Sequence, residues 1–160
     1  MITRLLTAAL LVLGLAAGSL AQQKPMIMKA VPGRKPLFAG AITQEPVYTD
    51  LPSSGKKCWI GDSLYFTYTF DKKPKLGTAI LKVRLFDKNG TRLTNLDIRG
   101  ISDMPSMKGA HDSGEVPFKL NKKGDYLLPV NVVMPGEWEV KLIFMRNEKP
   151  IYRGRFLFKV

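Results

Sequence analysis

Apolar and polar residues alternate with a period of two over most of the chain beyond Cys58. Turn-forming tetrads interrupt that alternation at short intervals, and no segment carries a sustained helical period. Together these features predict an all-β fold, an immunoglobulin-like antiparallel β-sandwich of about seven strands. Cys58 is the only cysteine, so no disulfide forms within the chain and packing alone must hold such a fold.

Taken from the start, Met1 to Arg4 followed by the apolar run Leu5 to Leu20 has the charge order of a secretory signal peptide. Ser19 and Ala21 supply small residues at an A-x-A-like cleavage site, which predicts a signal over 1–21 and a mature chain from Gln22. The alternative is a retained anchor, against which stand Gly14, Gly18 and a length below the roughly 20 apolar residues of a spanning helix. Residues 22–55 are punctuated by Pro25, Pro32, Pro36, Pro46 and Pro52 and predict an extended arm, with Val47 and Tyr48 as an irregular first strand. The sandwich domain is expected over 56–160, a size that buries roughly two-thirds of its unfolded surface.

Within that domain Leu64, Phe66, Tyr68 and Phe70 share one strand face, with Thr67 and Thr69 on the other. Ala79, Leu81, Val83 and Leu85 repeat the pattern against Lys82 and Arg84, and Asp87-Lys88-Asn89-Gly90 then predicts a hairpin returning through Leu93 to Ile98. A glycine-bounded loop follows from Gly100 to Gly114. A short strand from Glu115 to Leu120 turns at Asn121 to Gly124 into a longer one from Tyr126 to Val133, where Pro129 suggests an edge or bulged position. Trp138, Val140, Leu142 and Phe144 alternate with Glu137, Glu139 and Lys141. After Asn147 to Pro150 a strand bearing Phe156, Phe158 and Val160 ends the chain.

The formal net charge is +12, and the Lys and Arg residues are scattered rather than gathered in one block. Such a basic exported chain meets anionic lipid head groups, cell-wall polymers and acidic proteins, and nucleic acid is not an expected partner. Catalysis finds little to work with: a single histidine, no glycine-rich phosphate loop, no His-rich zinc signature and no nucleophile elbow. The chain therefore reads as an exported, periplasmic or extracellular binding module rather than an enzyme.

The loop after Gly100 holds Met104, Met107 and the only histidine, His111, among Ser, Asp, Pro and Gly. Thioether sulfur is a soft, neutral donor that suits copper(I), imidazole is a compatible third ligand, and Pro105 stiffens the spacing between the sulfurs. The strand leaving this loop and the hairpin at Gly124 bring Met134 back toward the same end of the sandwich. Each residue also has a plainer reading. Met104 and Met107 also fit as flexible fillers capping the open end of the core, Met134 precedes an ordinary Pro-Gly turn, and His111 beside Asp112 reads as a surface loop residue. Met26 and Met28 offer further sulfurs near the predicted mature start, and Cys58 reads as a buried, inert thiol.

The run Met104-Pro-Ser-Met107 with His111 downstream, then Met134-Pro-Gly-Glu-Trp138-Glu-Val140, resembles the YtkA-like and FixH-like family of exported β-sandwich domains, over roughly Asp62 to Phe144. The resemblance implies copper handling and, for the FixH branch, assembly of copper-containing terminal oxidases. It implies metal ligation by Met104, Met107 and His111 with Met134 as a helper, and a copper-donating or copper-accepting envelope protein as partner. The competing expectation is an extracytoplasmic interaction module that binds a protein or an anionic surface polymer without metal.

Overall fold

The computed structural model describes residues 45–160. The predicted signal and the sulfurs of Met26 and Met28 lie outside the described residues. Two sheets face each other across one core, as the alternation predicted. The first has the order β1-β11-β10-β6-β7 and the second β2-β3-β4-β9-β8, with β5 also on β4. The strands are β1 Thr49–Asp50, β2 Cys58–Ile60, β3 Leu64–Phe70, β4 Gly77–Asp87, β5 Arg92–Leu93 and β6 Asp97–Asp103, followed by β7 Val116–Pro117, β8 Lys119–Leu120, β9 Tyr126–Val132, β10 Glu137–Arg146 and β11 Lys149–Lys159. Seven have three or more residues, matching the number expected, and the other four are two-residue ladders that tie loops to the sheets.

The core is the apolar half of each alternating run. Phe66 and Tyr68 from β3, Leu81, Val83 and Leu85 from β4, and Leu128, Val130 and Val132 from β9 meet Trp138, Val140, Leu142, Phe144 and Phe156 of the opposite sheet. Phe66 packs on Phe144 with centroids 4.4 Å apart and Tyr68 stacks on Phe156 at 4.3 Å, contacts that join the sheets directly. Cys58 is buried at one margin of this core, as expected, and burial raises its thiol pKa to about 11.

Several local expectations change. The hairpin after Asp87 closes only over β5, because the chain leaves at Leu96 for the opposite sheet. The Tyr126 hydroxyl holds that crossing by donating to the Leu96 carbonyl at 3.0 Å and accepting from its N–H at 3.3 Å. Gly100 does not open the loop but sits inside β6, where a Cβ would lie 2.5 Å from Leu128 Cδ2. The strand expected over 115–120 is split between the sheets, with β7 on β6 and β8 on β9, and buried Phe118 makes the crossing. Pro129 lies beyond the end of β8, on a stretch of β9 paired only with β4, so its missing N–H costs no ladder bond.

Residues 45–55, read as the end of an extended arm, are laid along the sandwich. Thr49 and Asp50 pair in parallel with Gly154 and Arg155 of β11. Tyr68 Oη donates to the Pro52 carbonyl at 2.7 Å, and Gly55 N–H donates to the Tyr68 carbonyl at 2.9 Å.

Candidate functional site

The antiparallel register of β6 with β10 builds the candidate site. Asp103, the last residue of β6, lies opposite Glu139, so the chain leaving β6 at Met104 emerges beside the chain entering β10 at Met134 to Gly136. Pro105–Met107 then forms one 3₁₀ turn, closed by Met107 N–H donating to the Met104 carbonyl at 2.9 Å. Proline at the start of that turn fits its fixed φ and wastes no donor.

Side chains not singled out as donors hold the loop in place. The buried Asp103 carboxylate accepts the Met104 N–H at 2.8 Å and the Gly109 N–H at 3.1 Å, spanning the turn. At the far end Ser113 Oγ accepts the Ser102 N–H at 2.9 Å, and Asp112 accepts the Gly114 N–H at 2.7 Å. Short polar side chains bonding to nearby amides are a recognisable loop signal, but the long-range partner in β6 is visible only in the fold.

The four predicted donors have different environments. Met104 is 3% exposed and joins the core, with its methyl 2.7 Å from where a Cβ on Gly136 would stand. Gly136 has φ +143°, so glycine serves there both backbone conformation and close approach. Met134 is half-buried against the core, and its carbonyl accepts the indole N–H of buried Trp138 at 3.1 Å. The half-buried His111 ring lies 6.3 Å from the Trp138 ring, centroid to centroid. Met107 projects outward, 42% exposed, on the 3₁₀ turn. Trp138 therefore links the Met134 turn to His111, a role its place in a hydrophobic strand pattern did not announce.

Besides the buried Asp103, charges surround this end. Lys108, next to Met107, pairs with Glu45 at 2.7 Å, and that hydrogen bond with its accompanying charge lowers the Glu45 pKa and raises that of Lys108. Among the described residues no group of three His, Cys, Asp or Glu side chains could hold a metal ion. The soft donors at this end are the thioethers of Met104, Met107 and Met134 and the imidazole of His111.

These features define a β-sandwich domain with a methionine- and histidine-bearing loop pinned at one end of the core. The chain belongs to the YtkA-like family, whose model matches residues 61–143. That match includes Met104, Met107, His111, Met134 and Trp138. No curated protein matches the sequence. Among solved structures, the chain is similar to FetP of uropathogenic Escherichia coli strain F11, with 15% identity and a TM-score of 0.44, over 67% of this chain and 93% of that one.

Proposed function

We propose that this chain is an exported binding protein, not an enzyme, that carries copper(I) at the loop end of its sandwich and exchanges it with an envelope protein. Met104, Met107, His111 and Met134 are the proposed ligands, and copper is cargo rather than a resident cofactor. The observation that carries the reading is the gathering of Met104, the Met134–Gly136 turn, Trp138 and His111 where β6 ends and β10 begins. Donor chemistry supports it as well, since thioethers and one imidazole suit a soft monovalent ion and suit zinc, magnesium or calcium poorly. Met107 is exposed and His111 and Met134 are half-buried, so an arriving ion meets open donors first. Met104 is buried, and on this reading its unbranched, flexible side chain turns its sulfur out of the core to reach the ion.

The test is a competition titration against a chromophoric copper(I) chelator under reducing, anaerobic conditions. One copper per chain is expected to be withdrawn from the chelator, and Met104→Leu combined with Met107→Leu is expected to abolish that withdrawal while the circular dichroism spectrum is kept. Parent-like affinity in the double variant would remove these sulfurs from the site. A Trp59→Phe background leaves Trp138 as the only indole, and its emission is expected to be quenched as copper binds.

A further inference from the structure

The two outer faces of the sandwich differ in charge pairing, and this difference stands apart from the methionine loop. On the first sheet three cations have carboxylate partners, while among the described residues Arg146, Lys149, Arg153 and Lys159 of β10 and β11 make no ion pair. Arg99 pairs with Asp97 and Glu115, Arg155 with Asp50 and Glu139, and Lys141 with Glu139. On the second sheet no lysine among the described residues has such a partner. Directly opposed residues share a face, so its register lines up Trp59, Tyr65 and Phe86 in one row, Thr67 and Arg84 in the next, and Thr69, Lys82, Leu127 and Lys119 in a third.

Among the described residues, Lys57, Lys82, Lys119, Lys122 and Lys123 make no ion pair with a carboxylate. Asp125, the carboxylate nearest the centre of this face, is buried and taken by Arg84 at 2.9 Å and by Arg92. At the borders, Asp71 accepts the Ile80 N–H at 3.0 Å and Asp87 accepts those of Asn89 and Thr91. Lys82, Lys122 and Lys123 also rim a shallow notch of about 480 Å³ floored by Ile80 and Leu127. Lysine and arginine thus outnumber the carboxylates on this face, of which Asp71 and Asp125 line the same notch.

The aromatic row narrows the choice of partner. Tyr65 and Phe86 stack at 5.0 Å, Lys57 Nζ lies 4.4 Å from the Tyr65 ring, and the Arg92 guanidinium carbon lies 5.3 Å from the Phe86 ring. Those rings are occupied and offer no free platform for stacking a sugar. Trp59 alone projects, 48% exposed, and an indole with an apolar body and a polar N–H partitions to a lipid interface. At the β4–β9 end the face also carries Leu76 and Val133, both exposed, beside Ile80, Leu127 and Pro129, apolar groups that a bilayer surface accepts as readily as its head groups accept the lysines. Cationic, with one projecting indole, it is complementary to a bilayer surface.

We propose that the outer face of the β2-β3-β4-β9-β8 sheet docks on anionic phospholipid head groups, with these five lysines facing phosphate and Trp59 entering the head-group layer. The test uses the full chain with phosphatidylglycerol–phosphatidylcholine vesicles and with pure phosphatidylcholine vesicles. The apolar run from Leu5 to Leu20 acts on both, so the difference between the two vesicle types is the readout. Anionic vesicles are expected to shift Trp59 emission to the blue, a shift missing in Trp59→Phe and reversed by added salt. Each lysine near such a surface contributes about a fivefold factor, so Lys57→Gln with Lys82→Gln and Lys119→Gln is expected to lower partitioning on the order of a hundredfold. Equal partitioning of parent and triple variant, or an unmoved Trp59 spectrum, overturns the proposal. Capture by a soluble acidic polysaccharide without vesicle binding assigns the face to a glycan and overturns it equally.

Discussion

At the scale of single residues, the loop end depends on a glycine and a methionine that the chain separates by 32 positions, Met104 and Gly136. Gly136→Ala brings two costs, a methyl contact with Met104 and a side chain at φ +143°. The first is small, because the contact is with the free end of a flexible thioether. The second is expected to cost about 1–3 kcal/mol, and most of it should survive in a Met104→Ala background. Denaturant midpoints of the single and double variants check this, and a cost that vanishes in that background would place it in the methyl contact. Cys58 gives a second test, because burial holds its thiol protonated at neutral pH, with a pKa of about 11. It is expected to react with a thiol-specific disulfide reagent only as fast as the fold opens, and fast labelling of the native chain would contradict its burial.

Among the elements, the Asn121–Gly124 turn shows how a surface motif becomes a joint. Asn121 Oδ1 accepts the N–H groups of Lys123 and Asp125 at 2.9 Å, shaping the turn that the tetrad predicted. Asp125 then reaches back to Arg84 on β4 and Arg92 on β5, and the Arg92 guanidinium donates to the Gly124 carbonyl at 2.8 Å. Burial pushes the Asp125 pKa up, yet the hydrogen bonds from Arg92, Arg84 and Asn121 outweigh it and hold the pKa below its ordinary value. A lowered native pKa means that the unfolded chain takes up the proton first. The stabilisation is therefore complete above the ordinary carboxylate value of about 4 and is lost as pH falls through the native one. The parent is expected to lose more of its denaturant midpoint between pH 5 and pH 3 than Asp125→Asn does. Parallel losses in both would show that this cluster does not carry the acid sensitivity.

For the molecule as a whole, the segment before β2 completes the first sheet instead of trailing from it. Besides its pairing with β11, Leu51 packs against the core with Cδ2 2.6 Å from where a Cβ on Gly154 would stand. Its N–H donates to the Arg155 carbonyl at 2.8 Å. Gly154 is small for that reason, and the open face of β11 would otherwise present an unpaired strand edge. A chain shortened to begin at Lys56 is expected to lose roughly 2–4 kcal/mol relative to one beginning at Glu45, from one buried leucine and several backbone bonds. Thermal melts of the two would decide it, and equal stability would return residues 45–55 to the role of a dispensable arm.

Alternation by itself determined the sandwich, because a period of two decides which side chains a strand can bury, whatever its neighbours are. β3 and the apolar faces of β4, β9 and β10 could be read directly, and so could the turns built by Asp87 and Asn121, since local side-chain-to-amide bonds shape both. The soft donors of the loop were legible as residue types. Their neighbourhood was not, because the expected route through the strand after Glu115 is broken at Phe118, and Met104 meets Gly136 through the β6–β10 register instead. The sheet crossings at Leu96 and Phe118, the parallel seat of β1 and the clamp of Asp103 on the loop all join segments distant in the chain or in different sheets. Such contacts depend on where packing brings strands together, and no local pattern of residues encodes that.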